Sequence, residues 1–103
     1  MKGVFATPMM IALMEQAACK CLEEGLGPGQ TSVGTEISAS HTAASPLGAE
    51  ITATATIESI IGRKIGFAVS ARDQSGEIGN GKHARVIVDA ERFMEKTEAR
   101  RGG

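Results

Sequence analysis

The spacing of apolar and polar residues changes once along this chain, at a glycine-rich turn. Before the turn, Met9 to Leu22 consists of good helix formers with no glycine and no further proline. Thr7-Pro8 reads as a helix start, with a hydroxyl that can cap and a proline suited to the first turn. Gly25, after Glu23-Glu24, reads as the stop. Met9, Met10, Ile11, Leu13, Met14, Ala17, Ala18 and Cys19 put apolar side chains nearly all round, which predicts a buried helix interrupted by Glu15. Beyond the turn at 25–30 the period drops to two. Ser32 to Ser40 reads as a strand. Ala49 to Ser59 alternates, with Ile51, Ala53, Ala55 and Ile57 on one face and Thr52, Thr54, Thr56 and Glu58 on the other. Ile61-Gly62-Arg63-Lys64 is a tight connection into a strand marked by Ile65, Phe67, Val69 and Ala71. A turn at Gln74 to Glu77 precedes a last strand, Ile78 to Ala90, in which Gly79 and Gly81 mark bulges or close backbone approaches. From Glu91 the chain is charged and is expected to fray after Met94.

One long buried helix followed by four antiparallel strands in a meander is an α+β arrangement, and its simplest packing wraps the sheet around the helix. This is the layout of a hotdog fold. Only six residues precede Thr7, so the further strand that usually comes before that helix is expected to be absent or reduced to a remnant in residues 1–6. A chain of 103 residues is expected to form a single domain over 1–103, with a flexible end after about residue 94.

Composition narrows the function classes. Eleven basic and twelve acidic residues leave a net charge of −1, with no basic stripe for nucleic acid or an anionic membrane. Three Phe, with no Trp or Tyr, cannot build a base-stacking surface. No run approaches the roughly 20 apolar residues of a membrane span. The six apolar residues between Pro8 and Glu15 are short for a secretory signal core. Cys19 and Cys21, two apart on a helix, point to different sides and are expected to stay unpaired thiols, as suits a cytoplasmic protein. Small aliphatic side chains dominate the expected core, so a homodimer or higher homo-oligomer is expected to complete the burial.

Glu15 allows two readings. It belongs either to a solvent-facing stripe with Gln16 and Lys20, or to a desolvated position where a carboxyl group acts as base or nucleophile. Taken alone, His41 reads as a surface residue among small polar neighbours. Alternation places His83 and Arg85 on one strand face, with His83 solvated and Arg85 suited to a ligand phosphate. Gly25-Leu26-Gly27-Pro28-Gly29 follows a helix and lacks the setting of a dinucleotide loop. Two His and two Cys show no zinc spacing, so neither metal nor cofactor is expected.

The segment Val4 to Ala18, with Thr7 and Glu15, resembles the helix motif of hotdog acyl-CoA thioesterases. Val33-Gly34-Thr35, then Ser40-His41-Thr42-Ala43-Ala44-Ser45-Pro46-Leu47-Gly48, and then Gly79-x-Gly81-x-His83-x-Arg85, are similar in order to the fluoroacetyl-CoA thioesterase-like branch. The likeness runs over about residues 4–93. It implies Thr7, Glu15 and His41 as a catalytic set, Gly34 beside the acyl pocket, and Arg85 near the coenzyme A side. Gln16 stands where the founding type has an aromatic residue, and that type also has a strand and an aromatic lid before its helix. The expectation is therefore a broader thioesterase that hydrolyses a short-chain or small aryl acyl-CoA. The alternatives are a non-catalytic acyl-CoA binder and a hotdog hydratase. On this reading Glu15 attacks the thioester carbonyl or deprotonates water, His41 handles the proton, and Thr7 supplies a hydroxyl. Eight helical steps at 1.5 Å separate Thr7 from Glu15 by roughly 12 Å. Either the stretch near Thr7 is not regular helix, or the site combines groups from two subunits.

Overall fold

Helix α1, Thr7–Glu23, forms where the helix formers predict it. Its cap is Ala6 rather than Thr7: the Ala6 carbonyl accepts from Met9 N–H and Met10 N–H at 3.1 and 3.2 Å. Pro8 lies in the first turn, where no amide hydrogen is needed. The structure, a computed structural model, describes residues 6–102. A strand remnant in residues 1–6 therefore lies, apart from Ala6, outside the described residues.

Four antiparallel strands follow: β1 (Gln30–His41), β2 (Thr52–Ile61), β3 (Lys64–Asp73) and β4 (Gly76–Asp89). They lie in the order β1-β4-β3-β2, which corrects the meander. Only β2, β3 and β4 follow one another as hairpins. The first turn, after β2, carries Gly62 at φ 60°, and the second, after β3, ends on Gly76 at φ 140°. Residues 42–51 are too many for a tight hairpin, and they carry the chain from one edge of the sheet to the other. Thr42 N–H and Ala43 N–H both donate to the Ile78 carbonyl. The buried Ser45 hydroxyl donates to Asp73 Oδ2 at 2.7 Å, fastening this crossing to the end of β3.

Register lines up four rows across the face under α1. From one end they are Ala53–Ala71–Gly79–His41, Ala55–Val69–Gly81–Ala39, Ile57–Phe67–His83–Ile37 and Ile60–Ile65–Arg85–Gly34. Met10, Met14, Ala18 and Leu22 recur every four residues on α1 and pack against Ile65, Phe67, Val69, Ala71 and Ile78. A side chain at Gly79 would collide with Met10, so the glycine is a close-approach point, as expected. The helix is not buried all round. One sheet face covers one side of a cylinder, and Met9, Ala12, Cys19 and Cys21 are exposed. Both cysteines are free thiols.

The charged end is helical in the structure rather than extended. Helix α2 runs over Ala90–Gly102, with Asp89 Oδ1 accepting from Arg92 N–H at 3.0 Å as its cap.

Candidate active site

The face under α1 carries two polar groups at opposite ends. The first joins Thr7 to His41. His41 is the last residue of β1, and its Nδ1 lies 2.9 Å from Thr7 Oγ1. Because Ala6 provides the helix cap, the Thr7 hydroxyl is available for the histidine.

The second group surrounds Gly34, seven residues back along β1. A Cβ at Gly34 would sit 3.2 Å from His83 Cε1, 3.3 Å from Arg85 Nη1 and 3.7 Å from Glu15 Oε2. Three polar side chains thus face one space, which stays open only because position 34 has no side chain. Glu15 is half-buried, lying between the two readings the sequence allows. Gly34 itself is exposed, so the space opens to solvent.

His83 is 3% exposed, which corrects the expectation of a solvated position. Arg85 is 8% exposed and lies beneath the helix with its strand partner Gly34. Burying a guanidinium is costly unless its donors are taken up. Nε donates to Ser32 Oγ at 2.9 Å, Nη2 donates to the Ser32 carbonyl at 2.9 Å, and Nη1 lies 3.3 Å from His83 Nε2. Among the described residues no carboxylate lies within ion-pair distance of Arg85. His83 Nδ1 lies 2.7 Å from the Glu36 carbonyl. That carbonyl follows a bulge between Gly34 and Glu36 that leaves Thr35 without a ladder partner. Sequence reasoning missed Ser32 and misplaced His83. The signal was present in β4: Asn80 and Lys82 mark one face as solvated, so His83 and Arg85 must take the other.

Along β1, seven residues at about 3.3 Å put the two groups roughly 20 Å apart. The helix is regular from Thr7, so the option of an irregular start is closed. One chain does not gather Thr7, Glu15 and His41 around one substrate.

A long helix lying along a four-stranded antiparallel sheet is the arrangement of a hotdog-fold protein. Among solved structures, a hot-dog-like protein from Thermanaerovibrio acidaminovorans is 27% identical, with a TM-score of 0.92 over 98% of this chain and 75% of its own. The fluoroacetyl-CoA thioesterase FlK is 43% identical, with a TM-score of 0.88 over 93% of this chain and 71% of its own. A fluoroacetyl-CoA thioesterase from Streptantibioticus cattleyicolor is 44% identical over 93 residues, which are 90% of this chain and 67% of that protein. The chain belongs to the fluoroacetyl-CoA-specific thioesterase family, whose model matches residues 1–91.

Proposed function

We propose that this chain hydrolyses a short-chain or small aryl acyl-CoA to the free acid and coenzyme A, in sites shared between two copies. The observation that carries the reading is the open space over Gly34, with Glu15 on one side and, on the other, a buried arginine that has no carboxylate partner among the described residues. A thioester carbonyl placed there meets an oxygen nucleophile or base. The developing negative charge meets the Arg85 guanidinium, and Gly34 lines the acyl end. In the hydrolysis a C–O bond forms from water, directly or through a Glu15 acyl anhydride, and the C–S bond breaks. The proton leaves with the thiol.

The proton carrier is His41, held by Thr7, and it comes from the second copy. Among the described residues the outer edge of β1 has no strand partner. Two such edges pairing antiparallel about a two-fold axis through Ser38, with the Thr35 bulge passed over, set Gly34 of one chain opposite His41 of the partner subunit. Directly opposed residues in antiparallel strands lie about 5 Å apart. A homodimer therefore completes two equal sites, each with Glu15, Gly34 and Arg85 from one chain and Thr7 and His41 from the other.

Mixing chains tests this. Glu15→Gln and His41→Ala homodimers are each expected to be inactive, with turnover down at least a hundredfold. Refolded together in equal amounts, they regain about a quarter of wild-type activity, because half the dimers are mixed and each holds one intact site of two. No recovery on mixing would overturn the shared site. No turnover by the wild type with any acyl-CoA would overturn hydrolysis and favour an acyl-CoA binder. Incorporation of oxygen-18 from solvent into Glu15 during a single turnover identifies it as the nucleophile.

A further inference from the structure

We infer that His83 is a positioning residue that aims Arg85 into the space over Gly34, an inference resting on the acyl-CoA hydrolysis proposed above. The Glu36 carbonyl only accepts, so His83 Nδ1 carries a hydrogen and donates to it at 2.7 Å. An arginine nitrogen only donates, so His83 Nε2 offers its lone pair to Arg85 Nη1 at 3.3 Å. The ring therefore works as a relay of direction. A backbone carbonyl that follows the β1 bulge fixes the imidazole, and the imidazole fixes one arm of the guanidinium. Stacking on Phe67, with ring centroids 6.1 Å apart and planes inclined 27°, stops the ring from swinging. Ser32 holds the other side of Arg85 through its hydroxyl and its carbonyl.

Of the five N–H bonds of a guanidinium, these contacts engage three. One on Nη1 and one on Nη2 remain, and Nη1 is the nitrogen beside the space over Gly34. Without His83 Nε2, Nη1 loses its anchor and the guanidinium can rotate about the Ser32 contacts. A charge held ready for a developing oxyanion is worth more than one that must reorient during reaction. His83 reaches the reacting atoms only through Arg85.

Two near-isosteric substitutions separate the two ends of the ring. An Asn amide reaches roughly as far as Nδ1, and a Gln amide roughly as far as Nε2. His83→Asn keeps the donor to Glu36 and loses the acceptor for Arg85. His83→Gln keeps the acceptor and loses the donor. The expected result is opposite movement of two readouts. His83→Asn melts near the wild-type temperature, with kcat at least tenfold lower and KM within threefold. His83→Gln melts several degrees lower, with a smaller loss of kcat than His83→Asn. In an Arg85→Lys background, His83→Asn should cost less than twofold, because the group it aims is gone.

The inference is overturned if both variants lose kcat in proportion to their loss in melting temperature, or if neither loses kcat while the wild type turns over. It is also overturned if the effects of His83→Asn and Arg85→Lys multiply. An inactive wild type would instead overturn the thioesterase reading. If His83→Gln fails to fold, the Asn variant and the double-mutant comparison still decide.

Discussion

Replacing Gly34 by alanine adds one methyl group where the structure leaves a space. The backbone tolerates it, because Gly34 is not among the glycines with positive φ (Gly29, Gly48, Gly62 and Gly76). The new methyl would lie 3.2 Å from His83 Cε1 and 3.3 Å from Arg85 Nη1. Ordinary contacts between carbon atoms are about 3.5–4.0 Å, so both neighbours must retreat by a few tenths of an ångström. Crowding of this kind costs about 1–3 kcal/mol in a closed core. Here it is partly offset by the roughly 0.5–1 kcal/mol that alanine gains over glycine in a strand. Stability should therefore change little, while the methyl occupies the place of the acyl group. A displacement near 1 Å at a reacting centre costs on the order of a hundredfold in rate. The expected loss in kcat/KM is at least tenfold, or about 1.4 kcal/mol of transition-state stabilisation. It should grow with acyl size. Thiol release from acetyl-, propionyl- and phenylacetyl-CoA, followed with a thiol-trapping dye, measures it. Equal kcat/KM for wild type and variant across all three would refute the placement of the acyl group over Gly34.

Other outcomes follow from the same geometry. Arg85→Lys retains the charge but loses the planar fork that Ser32 and His83 hold, so kcat should fall about tenfold or more with the fold intact; wild-type kcat would remove Arg85 from the chemistry. Gly79→Ala pushes a methyl into Met10 and into the Ser40 carbonyl 2.8 Å away, and should destabilise the chain by about 1–3 kcal/mol in denaturant unfolding. The Ser45 hydroxyl, and then Ser75 N–H, hold the Asp73 carboxyl below the ordinary aspartate value of 3.8. A depressed carboxyl contributes stability above its unfolded value and loses it as pH falls through the folded one. Asp73→Asn should therefore melt lower than wild type near neutral pH, and the gap should close as pH drops below the aspartate range.

Much of the fold was legible because burial imposes periods. α1 and all four strands were visible in the change from helical spacing to alternation. Strand order was not, because alternation tells which face a residue takes and not which strand lies beside it. The ten-residue link between β1 and β2 was the available hint that they are not neighbours. α2 was lost for another reason. A strongly charged segment resembles a tail, although Asp89 caps it and Glu91 to Arg101 are mostly helix formers. Resemblance drew attention to Thr7, Glu15, Gly34, His41 and Arg85, and the structure sorts them into two separate groups. His83 was misplaced because its polarity was weighed without its strand partners Phe67 and Ile37, which mark its row as interior.

The distance between the two polar ends of the face has a kinetic consequence. Under the shared-site reading a lone chain carries every catalytic group and completes no site. Below the dissociation constant of the pair, turnover rises with the square of chain concentration, and specific activity falls on dilution even with substrate saturating. The β1 edge then acts as a threshold, so that thioester is spared when the protein is scarce and consumed once enough chains are present to find one another.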